Sequence, residues 1–287
     1  MTWTLSAFAD EAGATIDEQI PALKTSGLSL IDIRSVDGYN IVELPVDHAK
    51  VIKSKLDDAG ISVQMFGSPI GKIDIGDDFS TDLARLNHLG ELAPVLGCKA
   101  VRMFSYFNKD AKPHAEWQNV SIERMIALRE AAKNLGLVLY HENECHIFGD
   151  LAADVATIGT EVRDGVSFKT IFDFDNYNQG GQSVWEAWQL LKGDVDAIHL
   201  KDSINKQHVP VGTGTGDVEK ILRDAVATGW NGPLAVEPHL GHSGAVAATG
   251  PSGEENVTYK DMPEADRFIL ACNAATALLT KVGASYK

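Results

Sequence analysis

The chain has 287 residues, a formal net charge of -15, 44% hydrophobic and 23% charged residues, a balance that supplies ample material for a core and excludes a disordered chain. So acidic a protein repels nucleic-acid backbones and anionic membrane surfaces, because affinity for both rests on Lys and Arg neutralising phosphates. Cys98, Cys145 and Cys272 lack CxxC spacing, MTWTLSAFADEAG has no basic segment before Asp10 and Glu11, and no apolar run reaches membrane-spanning length; a cytoplasmic protein in a reducing compartment is expected.

A strand opens the chain over Thr2 to Phe8. One pattern then repeats: helix end, glycine, short gap, apolar strand. It recurs at Gly27 (LKTSGLSLIDIR), Gly60 (LDDAGISVQMF), Gly97 (PVLGCKAVRMF), Gly136 (KNLGLVLYHE), Gly165 (VRDGVSFKTIFD), Gly193 (LKGDVDAIHL) and Gly229 (VATGWNGPLAVE). Each glycine is expected in the left-handed conformation that closes a helix. Helices are predicted over Ile16 to Ser26 behind a Thr15/Glu18 capping box, His48 to Ala59, Asp82 to Leu96, Val120 to Leu135, Ser183 to Lys192, Asp217 to Thr228 and Glu264 to Val282, with a less regular one after Asp150. Strands alternating with helices demand parallel pairing, and eight such units close into a single (β/α)8 barrel, one domain over residues 1–287. An open doubly wound sheet is the alternative, but no GxGxxG follows the first strand. Two connections are long, Phe107 to Gln118 and Leu240 to Met262; each reads as a lid or binding loop, or equally as a mobile surface segment or subunit contact, which leaves a homo-oligomer open.

The chemistry lies where four successive strands end. LVLYHENECHIFGD runs from apolar residues into His141, Glu142, Asn143 and Glu144; TIFDFDN ends in Asp173, DAIHLKD in His199 and LAVEPH in Glu237. Barrels place their active sites at these ends. Alternation puts Val138, Tyr140 and Glu142 on one face, as it does Ile171 with Asp173, His199 with Lys201, and Glu237 with His239. It does not separate Glu142 from Glu144, or Asp173 from Asp175. Three carboxylates, one imidazole and no thiolate describe a hard site for Mn, Mg or Co, with Zn not excluded. Taken singly, each residue is more often a cap, an ion-pair partner or a satisfied histidine; four on the last four strands weaken that bland reading. Arg102, Lys201 and His208 are candidates for holding substrate hydroxyls or a phosphate, and equally for salt bridges. The GTGTG run, Gly212 to Gly216, precedes a helix where barrels bind phosphate, although a plain turn explains it as well.

These segments resemble the xylose isomerase-like TIM barrels, the sugar phosphate isomerases/epimerases. The likeness runs over nearly the whole chain: FADEA with QIPALKTSGLSLIDIRSVDG, then GSPIGKIDIGDDF, VRMFSYF, LYHENECHIFGD, FDFDNYNQ, IHLKD, VPVGTGTGDVEKIL and AVEPH. The resemblance implies metal ligands Glu142, Asp173, His199 and Glu237, with the two glutamates also forming the acid/base pair. It implies an isomerase or epimerase of a small carbohydrate, whether sugar, keto-sugar or sugar phosphate, through an enediolate that a divalent ion stabilises. A lyase, for instance a dehydratase of a keto-sugar or keto-inositol, follows from the same enediolate and is the alternative. Family members commonly carry His three residues after the metal Asp; here Asn176 takes that place among the expected substrate-binding residues, with Arg102, Lys201 and His208, and so bears on substrate identity. An abasic-site endonuclease would need further His ligands and a basic groove, and an intact ligand set disfavours a barrel that only binds.

Overall fold

Alternating strand and helix, with little chain between them, leaves the backbone one economical course, a parallel sheet rolled on itself inside a ring of helices. The computed structural model describes residues 2–248 and 253–287. Its main strands are β1 (Thr4–Ala7), β2 (Leu30–Ile33), β3 (Ser62–Phe66), β4 (Ala100–Met103), β5 (Val138–Glu142), β6 (Phe168–Asp173), β7 (Ala197–Leu200) and β8 (Pro233–Val236). They pair in parallel in the order β1-β8-β7-β6-β5-β4-β3-β2. Only the β1–β2 gap separates the sheet's ends, and there a single bridge joins Phe8 to Asp32. The product is a nearly closed (β/α)8 TIM barrel.

The helices between them are α1 (Ile16–Thr25), α2 (Val46–Ala59), α3 (Ser80–Leu96), α4 (His114–Leu135), α5 (Ala152–Glu161), α6 (Phe174–Gln179), α7 (Val184–Leu191), α8 (Val218–Thr228), α9 (Gly244–Ala248) and α10 (Glu264–Lys281). Among the described residues no helix is long and apolar enough to cross a membrane. At the start of α1 the Glu18 carboxylate accepts hydrogen bonds from the Thr15 N–H and hydroxyl, both at 2.9 Å, as the capping box requires. Six of the seven repeat glycines have positive φ; Gly193 does not, because α7 closes on right-handed Lys192 instead. Gly165 is left-handed but closes no helix. It sits in a turn where Asp164 Oδ1 accepts the N–H groups of Val166, Ser167 and Phe168.

Neither long connection is the open loop its polar sequence suggests. The last five residues of Phe107 to Gln118 belong to α4, whose first turn starts at His114 behind the N-cap Pro113. Trp117 Nε1, donating to the Tyr106 carbonyl at 3.0 Å, holds that turn to the barrel. Leu240 to Met262 contains α9 and packs down, with Leu240, Val246 and Asn256 buried. Asn256 donates to the His208 carbonyl at 2.9 Å, and Glu254 bridges Gln207 in the hairpin Asp202–Ile204/Gln207–Val209. Residues 249–252 of this connection lie outside the described residues.

The main apolar core lies between barrel and helices, and a smaller one of Met65, Tyr140, Ile171 and Ala197 fills the barrel itself. One layer further along the same strands the inward side chains become polar. Cys98 and Cys272 belong to the outer core, 3% and 0% exposed, and burial pushes both thiols up to about 12. Since the thiolate is the nucleophile, iodoacetamide at pH 8 is expected to label these two only on unfolding; mass-spectrometric labelling of either within minutes in the folded protein would contradict the packing described.

Candidate metal centre

Pleating decides which carboxylates reach the barrel axis. On β5 the side chains of Val138, Tyr140 and Glu142 point inward, so His141 points out, where burial lowers its imidazole to about 3 and Nε2 meets Ser105 Oγ at 3.0 Å. Glu144 lies beyond the strand and pairs with Lys72 at 3.0 Å. Asp173 ends β6 opposite His199 of β7, whose other neighbour is Ala235, two residues before Glu237. Asn143 locks β5 to β6 beyond their ladder: its amide donates to the Asp173 carbonyl at 3.0 Å and accepts the Asp173 N–H at 2.8 Å. Asp173 also caps α6 by accepting the Asn176 N–H at 2.9 Å.

Glu142, Asp173, His199 and Glu237 thereby come together, each offering a ligand atom and all of these within 4.8 Å of one another. They are 0–3% exposed. Glu142 Oε2, Asp173 Oδ2 and His199 Nε2 have no hydrogen-bond partner within the protein, although buried polar atoms normally find one. Hard oxygen and nitrogen atoms converging in a dry site, with His199 Nε2 lacking any partner among the described residues, are what a divalent cation requires, so the residues fit the group.

Four nitrogen-bearing side chains, Arg34, Arg102, His199 and Lys201, hold the carboxylates. Arg102 Nη1 lies 3.2 Å from Glu142 Oε2 and 3.3 Å from Glu237 Oε1, while His199 Nδ1 lies 2.7 Å from Glu142 Oε1 and 3.6 Å from Glu237 Oε2. Arg34 places Nη1 2.9 Å from Glu237 and grips Asp10 through Nε and Nη2. Lys201 Nζ is 3.2 Å from Asp173 Oδ2 and donates to Asn176 Oδ1 at 3.0 Å. Burial raises every carboxyl here, and the neighbours decide the outcome. His199 and Arg102 outweigh burial at Glu142 and hold it low; Lys201, His239 and Arg102 do the same at Glu237. At Asp173 burial, reinforced by the charges of the two glutamates, prevails over Lys201, and its carboxyl is raised. Burial would lower His199, but Glu142 and Glu237 raise it.

The remaining residues expected at the site are placed as follows. Arg102, Asn176 and Lys201 stand around the four ligands with their polar atoms turned to one another. His208 is one step away, fully buried, with Nδ1 3.1 Å from Asp175 Oδ2. The GTGTG run is a cradle for the chain's own Asp202: Oδ2 accepts the N–H groups of Gly212 and Gly214 and Oδ1 that of Gly216, at 2.9–3.0 Å.

Two features escaped the sequence reading. Arg34 follows Asp32 at strand spacing, so alternation on β2 would have flagged both as facing the barrel. The other is a pair: Glu11 accepts the His239 backbone N–H at 2.8 Å and bonds its Nδ1 at 2.9 Å, fixing a residue whose φ is +46°. Non-glycine residues seldom adopt that conformation, and it needs such a clamp. Nε2 of His239 then faces Glu237 Oε1 at 3.9 Å, and burial drives the imidazole well below its usual value.

The xylose isomerase-like TIM barrel signature matches residues 20–256. No curated protein matches the chain in sequence. Among solved structures, the IOLI protein with a bound zinc atom aligns with a TM-score of 0.76 at 13% identity, covering 97% of this chain and 99% of its own. An L-ribulose 3-epimerase gives 0.73 at 18%, covering 99% and 96%. The probable 3-DHS dehydratase AsbF of Bacillus anthracis gives 0.71 at 15%, covering 96% and 99%. At such identities the likeness establishes the fold.

Ligation requires His199 and Asp173 to lose the protons that their raised values retain, so protons compete with metal and affinity climbs as pH rises. Calorimetric titration of EDTA-treated protein with Mn is expected to show proton release and a Kd at least about tenfold tighter at pH 8 than at pH 6, one displaced proton being worth up to about tenfold per pH unit. A pH-independent Kd, or no binding, would refute this account of the cluster.

Proposed function

Because the chain belongs to the xylose isomerase-like TIM barrel family, we propose that it is an enzyme, a divalent-metal-dependent isomerase or epimerase of a sugar, keto-sugar or sugar phosphate that works through an enediolate. The observation that carries this reading is the buried set Glu142, Asp173, His199 and Glu237, whose ligand atoms all lie within 4.8 Å of one another. A divalent ion held there supplies a Lewis acid that polarises the substrate carbonyl and offsets the charge left when the neighbouring proton departs.

The protein's own groups do the rest. Glu142 and Glu237 reach the centre from different strands, so one carboxylate takes the proton beside the carbonyl and the other returns it, to the opposite face in epimerisation or to the adjacent carbon in isomerisation. Arg102, touching both, fixes the separation of the two bases, and Arg34 orients Glu237 from the far side. Lys201, buried against Asp173, donates to a substrate oxygen as negative charge develops there. Asn176, His208 and His239 hold substrate hydroxyls. The segment around α9 covers the site and excludes water from the reactive enediolate.

A dehydratase is the second reading, favoured by the likeness to a structure of that title; it would expel a β-hydroxyl from the same enediolate and release a product lighter by one water. The deciding experiment follows Mn-loaded protein in D2O with a panel of ketoses and keto-inositols by NMR and mass spectrometry. Deuterium beside the carbonyl without mass loss is expected, and turnover with no deuterium would reject the proton-transfer roles. Glu142→Gln and Glu237→Gln are each expected to retain metal while turnover falls by roughly 10²–10⁴; activity restored by excess metal would make them ligands only.

A further inference from the structure

Phosphorylated sugars must be met by groups that carry or share positive charge: an Arg or Lys fork, or a run of backbone N–H groups at the start of a helix. In this fold the usual place for such a run is the loops after the seventh and eighth strands. Here that run exists and is already filled. The N–H groups of Gly212, Gly214 and Gly216, just ahead of α8, all point at the Asp202 carboxylate, which takes a fourth bond from the Ser203 N–H at 3.0 Å. Asp202 is 1% exposed. Packing is tight enough that a Cβ placed on Gly214 would lie 2.3 Å from Asp202 Oδ1. The chain has built its own anion into the backbone cradle that the loop after β7 offers.

The cations nearer the metal centre are committed as well. Among the described residues, Arg34, Arg102 and Lys201 are the buried cations around it, and each already touches at least one carboxylate: Arg34 meets Asp10 and Glu237, Arg102 meets Glu142 and Glu237, Lys201 meets Asp173. Seven buried acidic side chains, those of Asp10, Glu11, Asp32, Glu142, Asp173, Asp175 and Glu237, gather around these three basic ones. Even with a bound divalent ion counted as two positive charges, acidic groups outnumber basic ones there by two. A dianionic phosphate entering this space would be repelled and would have to strip a cation from a buried partner, which costs several kcal/mol in a dry site. Glu11 Oε1, 2.9 Å from Nδ1, turns His239 so that its Nε2 is presented to this space beside Glu237 Oε1, 3.9 Å away, an edge that can meet a substrate hydroxyl.

We infer that the substrate is an uncharged, unphosphorylated polyhydroxy carbonyl compound, with Asp202 and the excess of buried carboxylates rejecting the phosphate esters. This rests on the isomerase or epimerase reading above for its chemistry, and on the placement of charge for its selectivity. The test uses the full chain loaded with Mg. Deuterium uptake from D2O is followed by NMR for the pairs D-fructose and D-fructose 6-phosphate, and D-ribulose and D-ribulose 5-phosphate, while calorimetry measures binding of inorganic phosphate. Uptake into the free ketoses alone is expected, with no phosphate binding tighter than about 1 mM. Uptake into a ketose phosphate at or above the rate of its free partner, or a phosphate Kd below about 1 mM, overturns the inference and leaves the enediolate chemistry intact. If neither form of any sugar takes up deuterium, the enediolate reading fails for these ketoses, and the phosphate titration alone then upholds or overturns the exclusion of phosphate.

Discussion

Three carboxylates cannot share a dry space at the mouth of a barrel unless positive charge is brought to them, and most of the polar architecture of this protein answers that requirement. Glu142, Asp173 and Glu237 are delivered by strand geometry; Arg34, Arg102, Lys201 and His199 are delivered to meet them, from β2, β4 and β7 or just beyond their ends. The shell outside repeats the device with anions holding cations and dipoles in place: Asp10 on Arg34, Glu11 on His239, Asp175 on His208. Little of this polar set faces water, so the side chains are fixed before any ligand arrives, which is the form of preorganisation that lets charged groups act strongly.

Much of the barrel was legible because its signals are local. Strand, helix and closing glycine follow one another within a dozen residues, and the alternation of side chains along β5 to β8 restricts which polar residues look inward. Local signals also explain the errors. The segment before Val120 is polar and mostly exposed, so nothing apolar announced the first turns of α4, which are fixed by contacts of Trp117 and His114 with residues outside the helix. Gly193 resembled its counterparts in sequence, yet α7 had already ended on a residue that needs no left-handed turn.

The convergence of Glu142, Asp173, His199 and Glu237 was legible in the sequence and the side chains that support them were not. Alternation alone left Glu142 against Glu144 and Asp173 against Asp175 unresolved; the folded chain separates them because Glu144 lies past the strand, beside Lys72, whereas Asp175 belongs to α6 and turns toward His208 and Ser203. Arg34 and Glu237 are 203 residues apart in the chain, and Glu11 and His239 are 228 apart. No periodicity spans such distances, so pairings of this kind emerge only when the sheet has closed.

The β1–β2 gap has a wider meaning than its single backbone bridge suggests. Across it, Arg34 at the end of β2 reaches Asp10 just after β1 and Glu237 just after β8, so where the staves lack a ladder they are hooped by side chains. That hoop is made of the same atoms that hold Glu237, one of the two carboxylates proposed above as bases. Evolution of this molecule therefore cannot treat its scaffold and its chemistry as separate inheritances: drift at the mouth that would retune selectivity also loosens the cask, and lineages leaving one reaction for another must first find a different way to keep the barrel shut.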